Sequence, residues 1–298
     1  MPIPETSGSA FYQYFNEVYG LGRWPKLFES LKAPDKKVAR LNPYLKHELI
    51  QIEVENLLSE RFITEEAARK LSLQSPDKNQ FYFLDLASLL PPLSLAPKPG
   101  ERCLDMCAAP GGKTLVLANL MAPHDGSEFD LIANEISIER RSRLIRVLKE
   151  QLPDKIFRQI KITAHDAAKW CLYQKDFYDK ILLDAPCSGE RYFILDSKEI
   201  LVWTKKRSQN MGVRQFSLLA SAFECLKCEG SVVYSTCSIS PFENDEVIRK
   251  LLKKRKGRVE ILTSKFPIGE ATEFGWQILP DFSSGFGPIY FSHIKRIN

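Results

Sequence analysis

The stretch Leu104-Asp105-Met106-Cys107-Ala108-Ala109-Pro110-Gly111-Gly112-Lys113-Thr114 decides the fold. It follows a short apolar run, Arg102-Cys103-Leu104-Asp105, and leads into a helical pattern over 113–120. The segment therefore reads as a strand, a loop of small residues and a helix start. Gly-Lys-Thr invites a phosphate-binding P-loop, but that motif needs a glycine five residues before Gly112, and position 107 is Cys. Nor does it match a G-x-G-x-x-G turn. What remains is either a plain tight turn or a loop whose small side chains let a ligand approach the backbone.

Outward from this loop the pattern repeats. Residues 131–133, 160–163, 180–183 and 231–234 read as strands, with helices over 138–150 and 213–226. Such alternation predicts a mainly parallel α/β sheet covered on both faces. Near the end, 276–279 and 289–293 flank Gly285-Phe286-Gly287-Pro288 and predict an antiparallel hairpin. Ligands of these folds sit outside the carboxyl ends of the strands, so the residues just past each strand are the candidates. Glu135 follows the second strand, 23 residues beyond Gly112. A carboxylate there grips ribose hydroxyls. Without a phosphate cradle, a nucleoside cofactor lacking phosphates fits best, and S-adenosylmethionine is the obvious one. Asp166, after the third strand, offers an acceptor to an adenine amino group. Taken singly, each acid is as readily a solvated loop charge, and neighbouring His165 a packed or surface histidine.

The fourth strand ends in Asp184-Ala185-Pro186-Cys187-Ser188-Gly189 and the fifth in Ser235-Thr236-Cys237-Ser238. Two cysteines and a carboxylate thus meet at the tips of neighbouring strands, ~4.8 Å apart. A lone cysteine is usually a buried structural thiol, but two above a cofactor loop point to chemistry. Cys225-x-x-Cys228 lacks the second pair that zinc's four ligands would need, so it reads as structural and no metal is expected.

Of 298 residues, 44% are hydrophobic and 27% charged, which excludes a disordered or low-complexity chain. Residues 1–99 are neutral, with 12 basic and 12 acidic side chains, so 100–298 carry the whole net charge of +5. Residues 198–258 hold 13 basic against 6 acidic, including Lys205-Lys206-Arg207 and the run 253–258. Each run alone suits a solvated helix face; together they make an acidic partner plausible. An odd seven cysteines, no presequence pattern at the start and no apolar run near the ~18 residues of a membrane span predict a reducing compartment, the cytoplasm, and no membrane. Helical spacing runs through Phe28, Leu31, Leu49, Ile52, Leu57, Leu58 and Phe62, with a helix start at Thr64-Glu65-Glu66-Ala67. Residues 1–75 are thus expected as a small helical extension and 76–298 as the main domain, with Phe81 to Leu95 packing onto the latter.

LDMCAAPGGKT, ILLDAPCSG and VVYSTCS, in this order, resemble the Sun/Nop-type RNA cytosine-C5 methyltransferase family over roughly residues 80–298. Trp203 to Gln215 and the ending FGPIYFSHIKRI are similar to its short, mitochondrial-type branch and to some bacterial members. The resemblance implies a seven-stranded class I (Rossmann-like) methyltransferase sheet of order 3-2-1-4-5-7-6. It implies that Cys107, Ala108, Ala109, Pro110, Gly111, Gly112 and Lys113, with Glu135, Asp166 and Asp184, bind S-adenosylmethionine, and that Cys237 is the nucleophile. Ribosomal RNA is the first target implied and transfer RNA the second. The longer members carry a dedicated RNA-binding domain, which residues 1–75 are too short and too neutral to resemble.

The chemistry has a need for each group. Carbon 5 of cytosine attacks a methyl sulfonium only after a thiolate adds at C6, the role of Cys237. Asp184 would hydrogen-bond N3 and the exocyclic amine, Lys113 would orient Asp184 or stabilise charge, and Cys187 would assist product release. Two other readings stand beside this one: a methyltransferase with another target, using Cys187 as the nucleophile on DNA cytosine or no thiol on an amine, and a non-catalytic RNA-binding assembly factor.

Overall fold

The computed structural model describes residues 9–45, 55–72, 79–122, 128–263 and 265–298. It opens with two helices, Ala10–Tyr19 and Trp24–Lys32. Ser9 caps the first by accepting from the Tyr12 amide, and Gly20, at φ +79°, ends it. Pro25 suits the first turn of the second. Their aromatic faces do not form a separate core. Phe11, Phe15, Trp24 and Phe28 are fully buried and pack with Phe193, Trp203, Ile239 and Leu279. Tyr19 Oη donates to the Ile239 carbonyl at 2.7 Å, two residues past Cys237.

The helical reading of 10–75 holds at these two helices and at Glu65–Ser72, where the Thr64 hydroxyl accepts from the Ala67 amide as expected. It fails between them. Strands β1 (Val38–Leu41), β2 (Glu55–Leu57), β3 (Glu60–Thr64) and β4 (Phe81–Leu84) form an antiparallel sheet of order β2-β3-β1-β4. Leu58 and Phe62, spaced like neighbours on a helix face, instead lie in a tight turn, with Leu58 at φ +55°, and in the strand after it. Long-range pairing with β1 overrode the local periodicity. Leu49 and Ile52 of that pattern, and the expected boundary at 75/76, lie outside the described residues. β4, beyond that boundary, pairs with β1, so the extension and the main domain share a sheet. A buried Arg40–Glu60 ion pair ties this sheet to the main domain, because Glu60 also accepts from Asn119 at 3.2 Å.

The main sheet comprises β5 (Arg102–Asp105), β6 (Asp130–Asn134), β7 (Ile160–Thr163), β8 (Tyr178–Asp184), β9 (Leu226–Thr236), β10 (Val259–Leu262), β11 (Glu270–Ala271), β12 (Trp276–Ile278) and β13 (Ile289–Arg296). Its order is β11-β12-β13-β9-β8-β5-β6-β7, with β10 also pairing β13. The β5/β6, β6/β7, β5/β8 and β8/β9 pairs are parallel, and all pairs of β13 are antiparallel. Starting from β5, the strand order 3-2-1-4-5-7-6 is present. The sheet nonetheless has nine strands among the described residues rather than seven. β13 is long enough to pair with β12 through 289–291 and with β10 through 293–296.

Side chains alternate across the sheet. Cys103, Leu131, Leu182 and Val233 face one core, while Leu104, Ile132, Ile181 and Val232 face the other. Helices Gly112–Met121 and Ile138–Gln151 fall where expected, whereas the third, Lys205–Cys225, begins well before residue 213. No helix of the described residues is long and apolar enough to cross a membrane.

The aromatic cluster makes a definite claim about stability. Phe15→Ala should cost about 3–5 kcal/mol, the usual cost of emptying a buried aromatic site, read by chemical denaturation. A loss under about 1 kcal/mol would mean that the N-terminal helices do not hold the main domain.

Candidate active site

Asp184 lies opposite Ser235 in the parallel β8/β9 pair, so both chains leave the sheet at the same level. The loops that follow bring two cysteines together. The Cys237 amide donates to Cys187 Sγ at 3.4 Å, and the two thiols hydrogen-bond each other. Donation from the Cys187 S–H, helped by the charge of Lys113, holds Cys237 below the usual thiol value despite its burial. That same hydrogen bond, with burial, pushes Cys187 well up. The two neighbouring thiols are thus shifted in opposite directions, Cys237 down and Cys187 up.

Beside them stands Asp184, fixed at both oxygens. Lys113 Nζ is 2.7 Å from Oδ2, and Ser235 Oγ donates to Oδ1 at 2.8 Å. Lys113 occupies the first turn of helix Gly112–Met121. Against the cost of burial, the Asp184 carboxylate holds its ammonium above the usual value.

The loop of small residues crosses the sheet tip next to this group. Gly111 needs its left-handed conformation, φ +117°, and a Cβ at Gly112 would come within 2.8 Å of the Tyr82 ring. Asp184, Lys113, Cys107, Ala108, Ala109, Pro110 and Gly112, with Asp105, Tyr82, Leu84 and Ser88, line one cavity of about 110 Å³. Asp105 was legible only as the last residue of a strand, yet it stands in this lining. Thr114 Oγ1 donates to its Oδ2 at 2.6 Å, its Oδ1 has no partner, and burial pushes its carboxyl up to about 7. An orphaned buried oxygen in a cavity fits a ligand bearing an N–H or ammonium donor.

Glu135 and Asp166 do not line that cavity; they stand on the β6 and β7 tips beside it. Glu135 is buried, accepts from the Ser137 amide at 2.9 Å and has Arg140 at 3.6 Å, while Arg140 also donates to the Ala109 carbonyl at 2.9 Å. Asp166 is exposed and caps the next turn through the Ala168 amide at 3.1 Å. His165 packs edge-on against Trp170, 5.4 Å between ring centres. The residue that joins these tips is Asn134, which was not singled out. Its side chain donates to the Met106 and His165 carbonyls at 3.1 and 3.0 Å and accepts from the Thr163 hydroxyl and His165 amide at 3.0 and 2.8 Å. A buried polar side chain at a strand tip was the available signal.

A second cleft, of about 270 Å³, opens on Cys237 and shares Ser88 with the first cavity. Lys36, Lys37, Asp85, Arg191, Tyr192 and Leu195 are among its walls. Its cations therefore come from the neutral first third of the chain and from the helix after Cys187, and not from the basic stretch 198–258. Much of that stretch lies on helices Lys205–Cys225 and Asp245–Lys254, where Arg207 pairs with Glu199 and Arg255 with Glu224. All seven cysteines are free, Cys225 ends a helix beside exposed Cys228, and no metal-binding cluster occurs among the described residues.

A parallel sheet of this order, with a ligand cavity at the carboxyl tips, defines a class I, Rossmann-like methyltransferase fold. S-adenosylmethionine is the cofactor of that class, and the small-residue loop, the unpaired Asp105 oxygen and Glu135 fit its methionine and nucleoside parts. Residues 92–292 match the family described as 16S rRNA methyltransferase RsmB/F, and the chain belongs to that family. It is 36% identical over 234 residues to the 5-cytosine rRNA methyltransferase NSUN4 of Bos taurus, covering 73% of this chain and 60% of that protein. To the mitochondrial tRNA (cytosine(34)-C(5))-methyltransferase of Danio rerio it is 34% identical over 230 residues, covering 73% and 61%. The chain thus spans about 60% of the length of these curated relatives. Among solved structures, a methyltransferase homolog protein from Pyrococcus horikoshii superposes with a TM-score of 0.74 at 25% identity, covering 96% of this chain and 94% of that one. NSun6 from the same organism shares the fold with a TM-score of 0.77 at 17% identity, covering 96% and 97%.

The thiol pair predicts a pH signature. Cys187→Ala removes the S–H donor from the Cys237 thiolate, so the pH midpoint for alkylation of Cys237 by iodoacetamide should move upward. Site-resolved mass spectrometry over a pH series measures it. A midpoint that stays put or moves down would show that Cys187 does not lower Cys237.

Proposed function

We propose that this chain methylates C5 of a cytosine in RNA, with Cys237 as the covalent nucleophile. The observation that carries the reading is the juxtaposition of Cys187, Cys237 and the Lys113–Asp184 pair at one sheet tip. S-adenosylmethionine, when bound, supplies the electrophilic methyl group. The rest falls to the residues of this chain. The Cys237 thiolate forms a bond to C6 of the base, which pushes electron density toward C5 and N3. Asp184, held by Lys113 and Ser235, accepts from the exocyclic amine and from a protonated N3, and so stabilises the charge that develops there. Once C5 carries the methyl group, its proton passes to a base, water or hydroxide from solvent, the C–H electron pair restores the C5–C6 double bond, and the C6–S bond breaks to return thiolate to Cys237. We assign Cys187 to that release step. Glu135 takes the ribose hydroxyls and Asp166 the adenine edge.

A target base must reach Cys237 unstacked, at a cost of a few kcal/mol in a duplex and less in a loop. Single-stranded cytosines in structured RNA suit the cleft, whose Lys36 and Lys37 are placed to meet phosphate. The likeness to the bovine rRNA enzyme favours ribosomal RNA; the likeness to the zebrafish tRNA enzyme favours transfer RNA as the second target. Two working thiols need a reducing compartment. The cytoplasm is one, and the zebrafish relative is by its name mitochondrial. Bisulfite mapping of total RNA with and without the protein identifies the cytosine. No protein-dependent site in any RNA would sink the RNA reading.

Cys237→Ala should abolish methyl transfer. Cys187→Ala should still attack and then stall, leaving a covalent RNA adduct on a denaturing gel. If Cys187→Ala is instead the variant that never forms an adduct, the two cysteines exchange roles. Glu135→Ala should weaken S-adenosylmethionine binding about 10–100-fold, the worth of hydrogen bonds to a charged group. Unchanged affinity by calorimetry would remove Glu135 from the cofactor site.

A further inference from the structure

Two fully buried glutamates, Glu190 and Glu243, lie behind the cysteine pair and have no part in the chemistry described above. Gly189, at φ +64°, turns the chain after Ser188 and starts helix Glu190–Leu195. From there the Glu190 carboxyl reaches the other loop, accepting from Ser238 Oγ at 2.9 Å and from the Ile239 amide at 3.2 Å. Glu243, in the turn Pro241–Glu243, reaches back the opposite way. It accepts from the Ser188 amide at 2.9 Å, from the Ser188 hydroxyl, and from Gln215 Nε2 at 2.9 Å. Gln215 Nε2 also donates to the Pro186 carbonyl at 2.9 Å.

The arrangement is reciprocal. Ser188 follows Cys187 and is held by a glutamate from the Cys237 side. Ser238 follows Cys237 and is held by a glutamate from the Cys187 side. Burying two carboxyls near each other and near a thiolate opposes folding unless every oxygen is paired, and here all four carboxyl oxygens accept. Ordinary apolar packing would join the loops at lower cost, but it would leave the thiols free to slide.

We propose that Glu190 and Glu243 are positioning residues that hold Cys187 and Cys237 at their working separation, each from the loop of the other cysteine. This rests on the reading of Cys237 as nucleophile. Burial, reinforced by Glu243, drives the Glu190 carboxyl well up, and a neutral amide in its place can hold both contacts with one reversed, its oxygen accepting from the Ile239 amide and its nitrogen donating to Ser238 Oγ. Attack at C6 and release at C5 use two sulfurs in turn, and a displacement of ~1 Å at such a site costs about 10²-fold.

The test combines turnover with a measurement on the thiols alone. Glu190→Ala and Glu243→Ala should each lower kcat about 30–100-fold, with S-adenosylmethionine affinity by calorimetry within about twofold. In both, the pH midpoint of Cys237 alkylation should rise toward that of Cys187→Ala, because drift of the S–H donor, the largest influence on Cys237, outweighs removal of a carboxyl whose charge raises it. Glu190→Gln should restore both readouts. Should either alanine variant fail to fold, Ser238→Ala and Ser188→Ala cut the same bonds from the loop side and should show the same paired effects. Wild-type turnover in Glu190→Ala or Ser238→Ala, or a turnover loss with the Cys237 midpoint unmoved, would overturn the proposal. Cys237→Ala is assayed alongside. If it still methylates RNA, the nucleophile reading fails; if it is inactive while both glutamate variants turn over normally, only the positioning role fails.

Discussion

The register of β8 against β9 is the constraint on which this site depends. Pairing Asp184 with Ser235 lets the Ser235 hydroxyl hold the carboxylate, and lets the two cysteine loops leave the sheet side by side. In a strand, a slip of one residue sends every side chain to the other face. Such a slip here would bury Asp184 in the wrong core and part the sulfurs. The alternation of Ile181, Leu182 and Leu183 between the two cores resists it, so the same packing that stabilises the sheet also sets the geometry at its tip.

Charge around Asp184 is arranged about Lys113. Lys113 faces Asp184 directly, and its field also reaches Asp105 and Cys237. In a poorly solvated site such pairs are strong, and an unmatched group is costly. Asp105, which has no cation in contact, is driven up to about 7 by burial, while Asp184 takes the ammonium. Two carboxyls close together thus have different partners, Thr114 for Asp105 and Lys113 with Ser235 for Asp184.

The first third of the chain, neutral by composition, turns out to be built into the catalytic half. Its aromatic helices pack on residues 193–203, Tyr19 holds the Ile239 carbonyl, and its linker brings Lys36 and Lys37 to the cleft at Cys237. Overall charge was a poor guide to this. Two exposed lysines line the cleft at Cys237, whereas in the basic stretch Arg207 and Arg255 have acidic partners.

By itself the sequence determined the parallel strands, the loop 107–113 and the order of strand-tip residues. Strands buried on both faces are near-continuous apolar runs, and a ligand loop is contiguous in the chain, so both are local signals. Tertiary structure alone decided the rest. The pairing of β3 with β1 and of β10 with β13, the stitching by Asn134 and the crossed glutamates join residues far apart in the chain; Ser188 and Glu243 are separated by 55 positions. No local pattern records such pairings, because they are chosen by burial and by the need to satisfy every buried polar group once the chain has closed on itself.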